Sequence, residues 1–149
     1  MKIFALAVLL VLAGAACERD TGPPLEISIA TVFAPLPGTH TAVAYMTIKN
    51  NTPADIVVES ISSPQFASVM MHETRIIDGV ARMTMLKSLL IPAHSCVVLE
   101  EGGKHIMLMN PVQAEQLNQP VSLHVNYAVT GLVIVNTTFQ SRFDREPTG

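Results

Sequence analysis

The stretch EGGKHIMLMN, residues 101–110, decides how this chain is read. Beyond the Gly102-Gly103 turn signal, His105, Met107 and Met109 alternate with Ile106 and Leu108. Side chains alternate faces along a strand, so this run predicts an aliphatic face for the core and a second face carrying an imidazole and two thioethers. Methionine has no packing reason to stand on that second face, so its presence there needs a chemical one.

Outward from this stretch the texture stays β. Segments rich in β-branched and aromatic residues recur at 26–34, 42–50, 55–63, 66–74, 79–87, 95–101, 104–110, 121–129 and 131–139. Between them lie turn signals: Pro35, Pro37-Gly38, Asn50-Asn51-Thr52-Pro53, Asp78-Gly79, Ile91-Pro92, Gly102-Gly103 and Thr130-Gly131. Short strands at that spacing, with few residues able to build a long helix, predict one all-β domain, an antiparallel Greek-key β-sandwich or barrel. Only PVQAEQLNQ (111–119) has helical character, enough for a turn within a loop.

The first residues belong to export, not to the fold. MKIFALAVLLVLAGAAC opens with Lys2, runs through an apolar segment from Ile3 to Leu12, and ends in Ala13, Gly14, Ala15 and Ala16. That is the layout of a secretory signal over 1–16. Cys17 follows at once, and its acylation would make the product a lipoprotein; cleavage at an A-x-A-like site is the alternative. Residues 17–25 read as a polar, proline-containing tether, 26–141 as the domain and 142–149 as a short polar tail. The expected location is the periplasm or cell envelope, with membrane contact only through a lipid on Cys17.

Without Lys2, eight basic side chains stand against twelve acidic ones. That balance gives no electrostatic footprint for nucleic acid. Cys17 and Cys96 are the only cysteines. If Cys17 is lipidated, Cys96 has no partner in the chain and is expected to pack as a small buried hydrophobe; if Cys17 survives as a thiol, a Cys17–Cys96 bridge is the alternative, one that would tie the terminus to the body.

Six of the eight methionines fall between residues 70 and 109. Alternation places Met83 with Met85, His72 with Met70, and His105 with Met107 and Met109. Three strands thus carry sulfur or imidazole donors in alternation. Soft thioethers with imidazole select a soft closed-shell ion, and Cu(I) is the candidate for an envelope compartment. Zinc would be expected to recruit cysteine, histidine or carboxylate instead.

The spacing His72-x10-Met83-x21-His105-x-Met107 resembles that of the periplasmic copper chaperone family PCu(A)C, whose fold is cupredoxin-like. Also similar are AVAYMTIKN with Asn50, Ala54-Asp55, MHET (71–74), Ile91-Pro92 and GGKHIMLM (102–109). The resemblance covers 26–139. It implies a Cu(I) site made by His72, Met83, His105 and Met107, with Met85 and Met109 as possible auxiliaries. It also implies copper hand-over to cytochrome c oxidase subunit II or its assembly factor. Departures fall in loops: AHSC after Pro92, Asn110 and Gln119 stand where the family favours glycine. The tail SRFDREPTG holds no histidine or methionine, so a second copper site there is not expected.

Neutral ligands on an exposed rim would permit transfer by ligand exchange, which is carriage without turnover. Met70, Met71, Tyr45 and Tyr127 are expected to pack, and His40, His94 and His124 to be surface or hydrogen-bonded residues. Glu73 or Lys104 could hold a ligand histidine from a second layer. A blue electron-transfer centre would need a histidine a few residues after the cysteine, whereas Cys96 precedes His105 by nine positions. Copper buffering in the envelope, or a structural lipoprotein that binds a protein partner, are the remaining alternatives. No nucleophile–base pair supports an enzyme.

Overall fold

The computed structural model describes residues 22–113, 119–128 and 131–141. These form β1 (Leu25–Phe33), β2 (Thr41–Asn50), β3 (Ile56–Ser62), β4 (Phe66–Ile77), β5 (Val80–Leu86) and β6 (Leu89–Ile91). The chain continues through β7 (Cys96–Leu99), β8 (Lys104–Pro111), β9 (Val121–Tyr127), β10 (Gly131–Thr137) and β11 (Phe139–Gln140). One sheet runs β11-β1-β2-β8-β4-β5, with β7 also paired to β2, and the other runs β10-β9-β3-β6. Among the described residues there is no helix. The expected signal segment, Cys17, most of the tether and the tail lie outside the described residues.

The alternation that suggested strands is the alternation that builds the core. In β2, Ala42, Ala44, Met46, Ile48 and Asn50 are buried while each intervening residue is half-exposed. In β8, Ile106 and Leu108 are fully buried. The second sheet meets them with Val58, Leu123 and Val125, also fully buried. Each such side chain stabilises by roughly 1.5–3 kcal/mol relative to exposure. The two inner faces thus close a sandwich.

The strands exceed the nine expected. β6 and β11 are too short for a periodic signal, and β4 runs on to Ile77. β11 pairs with β1 in parallel, the one departure from antiparallel order among the described strands.

Asn50 is the buried polar residue that joins the loops at one end. Its Nδ2 donates to Ala54 O (2.7 Å), Ile91 O (3.0 Å) and Pro92 O (3.2 Å). Its Oδ1 accepts from Thr52 N and Thr52 Oγ1. Asp55 Oδ1 accepts from Ala93 N at 2.9 Å. The Asn50, Ala54-Asp55 and Ile91-Pro92 features noted in the sequence are therefore one hydrogen-bonded clasp, since a buried amide must satisfy its donors and acceptors.

One expectation is corrected at this end of the molecule. Cys96 is only half-buried and is disulfide-bonded, not an unpaired hydrophobe. An oxidising compartment permits that bond, and a thiol on a half-exposed strand has less packing to gain than a core residue.

Candidate metal centre

β4 overshoots the core. Met71 is its last buried residue, and from Arg75 to Met85 every residue is exposed. The chain reverses at Asp78-Gly79, with φ of 52° and 76°, the paired left-handed geometry of a two-residue hairpin turn. Aspartate tolerates that region and glycine adopts it freely. β5 returns as the edge strand, and β8 lies on the other side of β4.

Register then assembles the donors. His72 lies directly opposite Met85 on β5 and directly opposite His105 on β8. Met83 is opposite Thr74, Met70 opposite Met107, and Ser68 opposite Met109. Directly opposite residues share a face, so all of these point away from the core. Direct neighbours lie about 5 Å apart at Cβ and diagonal ones about 7–8 Å, within reach of methionine. His72 is the centre of this patch: Met85 and His105 flank it, and Met83 and Met107 are its diagonals.

The two imidazoles lie nearly parallel, with centroids 5.9 Å apart and 21° between planes. His105 is 8% exposed although it faces outward. Its Nδ1 lies 3.0 Å from Gly103 O, and Thr74 N donates to that same oxygen at 3.0 Å. A carbonyl accepts only, so this contact puts the proton on Nδ1 and leaves the Nε2 lone pair for a ligand. His72 is half-buried, and its Nδ1 is buried without a hydrogen-bond partner among the described residues. A buried ring nitrogen left unpaired is costly unless something binds it. Met83, Met85 and Met70 are 56%, 53% and 38% exposed. Buried nitrogens beneath exposed sulfurs suit a soft ion held at a rim.

Among the described residues, no three of His, Cys, Asp and Glu gather where they could hold a metal. The side chains that neighbour His72 and His105 on this face are thioethers, a donor set that suits a soft ion better than zinc.

Glu73 faces the other way. It accepts from Lys104 Nζ at 2.9 Å and pairs with Arg75 at 2.7 Å. The Lys104 hydrogen bond, reinforced by Arg75 and opposed by partial burial, holds its carboxyl below the usual carboxylate range. A carboxylate or lysine does not orient the histidine as considered from the sequence; the Gly103 carbonyl does.

Of the sequence-derived candidates, His72, Met83, His105, Met107 and Met85 are brought onto adjacent positions of one face. Met109 is not: it lies four positions from His105, about 13 Å along a strand. Met71 packs in the core as expected, but Met70 does not. It stands on the outward face opposite Met107, and its shared parity with His72 is the signal that could have placed it there.

Residues 25–136 match the family described as "Putative lipoprotein LpqE-like". "Putative lipoprotein Lxx21020" of Leifsonia xyli subsp. xyli (strain CTCB07) is 27% identical over 103 residues, which are 68% of this chain and 62% of that relative. The chain thus spans less than two thirds of that relative's length. Among solved structures, the copper-bound PCuAC domain from PmoF2 superposes with a TM-score of 0.64 at 19% identity, covering 84% of this chain and 99% of that one. The solution structure of CuI-DR1885 from Deinococcus radiodurans gives 0.61 at 28% identity, covering 76% of each chain.

Proposed function

The chain belongs to the LpqE-like family and has the cupredoxin-like PCuAC fold, and on that premise we propose that it is an envelope carrier of Cu(I). The ion is held by His72, Met83, His105 and Met107, with Met85 close enough to share or replace Met83. The observation that carries this reading is the row Met85–His72–His105, in which an unpaired buried nitrogen lies between a thioether and a carbonyl-oriented imidazole. The similarity to the copper-bound PCuAC domain from PmoF2 and to CuI-DR1885 supports it.

Thioether and neutral imidazole leave the bound ion its single positive charge, which favours the monovalent state. Half-exposed sulfurs let an incoming donor replace one ligand without opening the sandwich. Release then proceeds by ligand exchange, and the protein catalyses no turnover. The receiver is the copper centre of cytochrome c oxidase, subunit II or its assembly factor.

The LpqE-like description supports anchoring through an acylated Cys17. Acylation of Cys17 and an intramolecular Cys96 disulfide exclude one another, because Cys17 and Cys96 are the only cysteines of the chain. Intact mass of the envelope-extracted protein distinguishes a lipid adduct from an intramolecular bridge. The function itself is tested by anaerobic Cu(I) competition titration of the mature protein beside His105→Ala. One equivalent retained by the first and lost by the second is expected; equal failure to compete overturns the reading.

A further inference from the structure

The outward face of β4 and β8 holds more sulfur than the histidine site uses. Met70 lies directly opposite Met107, and Met109, two positions further along β8 and opposite Ser68, is on Met70's diagonal. Direct neighbours are about 5 Å apart at Cβ and diagonals about 7–8 Å, so three thioethers on long flexible stems can meet over one spot. Their remaining neighbours on this face are neutral: Thr41 on β2 opposite Met109, and Val43 opposite Met107. Met70 is exposed and Met107 and Met109 are half-buried, so an ion can reach the sulfurs from solvent. A strand face that needed only apolar cover would favour β-branched or aromatic residues, whereas all three positions carry an unbranched donor. Met70 also lines a surface cavity of about 260 Å³ together with Met85, the thioether opposite His72. Glu59 and Lys87 line the same cavity with one charge of each sign, so their charges cancel.

We propose that Met70, Met107 and Met109 form a second Cu(I) subsite, made of thioethers alone, which loads the histidine site through the shared Met107. The subsite stands on its own geometry; the loading step rests on the reading of His72 and His105 as ligands. Neutral thioethers with neutral surroundings select a soft monovalent ion and offer little to zinc, calcium or magnesium. Met107 sits between the two donor groups, with Met109 two positions to one side and His105 two to the other. Sharing it means that the two sites are filled in turn, not together. In the loading step the Cu(I)–sulfur bonds to Met70 and Met109 break as bonds to the His72 and His105 nitrogens form, while Met107 stays bound. Copper remains monovalent throughout, and neutral imidazoles release no proton.

The test uses the mature protein labelled with carbon-13 at its methionine methyls and titrated without oxygen with Cu(I) supplied as its acetonitrile complex. In the double variant His72→Ala, His105→Ala, the ion should move the methyl resonances of Met70, Met107 and Met109 together. Met46 and Met71, both buried in the core, should stay in place and report an intact fold. Adding Met70→Leu should abolish the movement at Met107 and Met109. With the histidines present, Met70→Leu and Met109→Leu should each slow the filling of the histidine site, read by stopped flow, at unchanged equilibrium affinity; a leucine for methionine swap keeps the fold. Stationary Met70 and Met109 methyls at excess Cu(I) in the folded double variant would overturn the subsite, and unchanged filling rates in both leucine variants would overturn the loading step. If the double variant loses its core resonances, the filling rates decide alone. Failure of the unmodified protein to hold one equivalent against a competitor would instead remove the histidine site, and the loading step with it, whereas methyl movement in the double variant is independent of that result.

Discussion

His72 and His105 face one another across the β4–β8 ladder with their rings 5.9 Å apart and nearly parallel. The two are not equivalent. His105 is locked by the Gly103 carbonyl, whereas His72 has an unpaired buried Nδ1. Under the proposed ligation, replacing either removes a direct donor, and even the outer partners of a metal ligand cost about 10–100-fold in affinity when lost. His72→Ala and His105→Ala should each weaken Cu(I) binding by at least about 100-fold in a competition titration. A loss confined to one of them would mean that the histidines do not share an ion.

The sulfur donors are separated by register. Met85 lies directly opposite His72, Met83 on the diagonal and Met109 several positions away. Met109→Leu should therefore leave Cu(I) affinity within about twofold, while the double variant Met83→Leu, Met85→Leu should lower it by about tenfold or more. Each single variant should lose less than the pair, because the second sulfur can take the vacant place. X-ray absorption of the loaded protein would report the sulfur count directly.

Much of this was legible because period-two alternation reports which face a side chain takes; it holds through β2 and is interrupted by register shifts at Ser28/Thr31 in β1 and Val58/Ser60 in β3. Ile106 and Leu108 took the core face and His105, Met107 and Met109 the opposite one, as the order of residues required, although His105 is buried there. What alternation does not carry is register between strands. It could not rank Met85 against Met83, exclude Met109, or bring Met70 opposite Met107, because those outcomes depend on where the Asp78-Gly79 turn sets the pairing. The Gly103 carbonyl was invisible for a related reason: every residue has one, and only the fold aims it at a ring. Strands of two or three residues, such as β6 and β11, are likewise fixed by their partners.

Asn50 supports a stability prediction. Asn50→Ala would strip partners from Ile91 O, Pro92 O, Ala54 O and Thr52 N at a fully buried position. Each orphaned group costs about 1–3 kcal/mol unless water reaches it, so a net loss of roughly 3 kcal/mol is expected. Thermal unfolding should shift down by roughly 10 °C. Copper affinity at the distant hairpin should be unchanged, so a variant that loses copper without losing stability would contradict the clasp.

The loop departures from glycine have a backbone consequence. His94 and Asn110 both adopt left-handed φ, 49° and 55°. Asparagine tolerates that region, but histidine pays a steric cost of about 1–2 kcal/mol that glycine avoids. Against this, glycine adds chain entropy to the unfolded state. His94→Gly should therefore stabilise by up to about 1 kcal/mol, seen as a higher denaturant midpoint at constant slope, and Asn110→Gly should be nearly neutral.

Glu73 gives the pH dependence of the copper-free protein. Its carboxyl is held below the ordinary value first by the Lys104 hydrogen bond and then by Arg75. A group whose folded pKa is depressed contributes stability that is present above its unfolded value, about 4.3, and disappears as pH falls through the folded one. Below neutrality the copper-free protein should therefore hold this contribution down to about pH 5 and lose it at lower pH. Glu73→Gln keeps the shape and removes the ion pair, so it should flatten that part of the profile while leaving His105 oriented by Gly103. A chemical-denaturation series from about pH 7 to pH 3 on both proteins would check this. Parallel profiles would mean that the Glu73–Lys104 pair is screened by solvent and contributes nothing to the hairpin's footing.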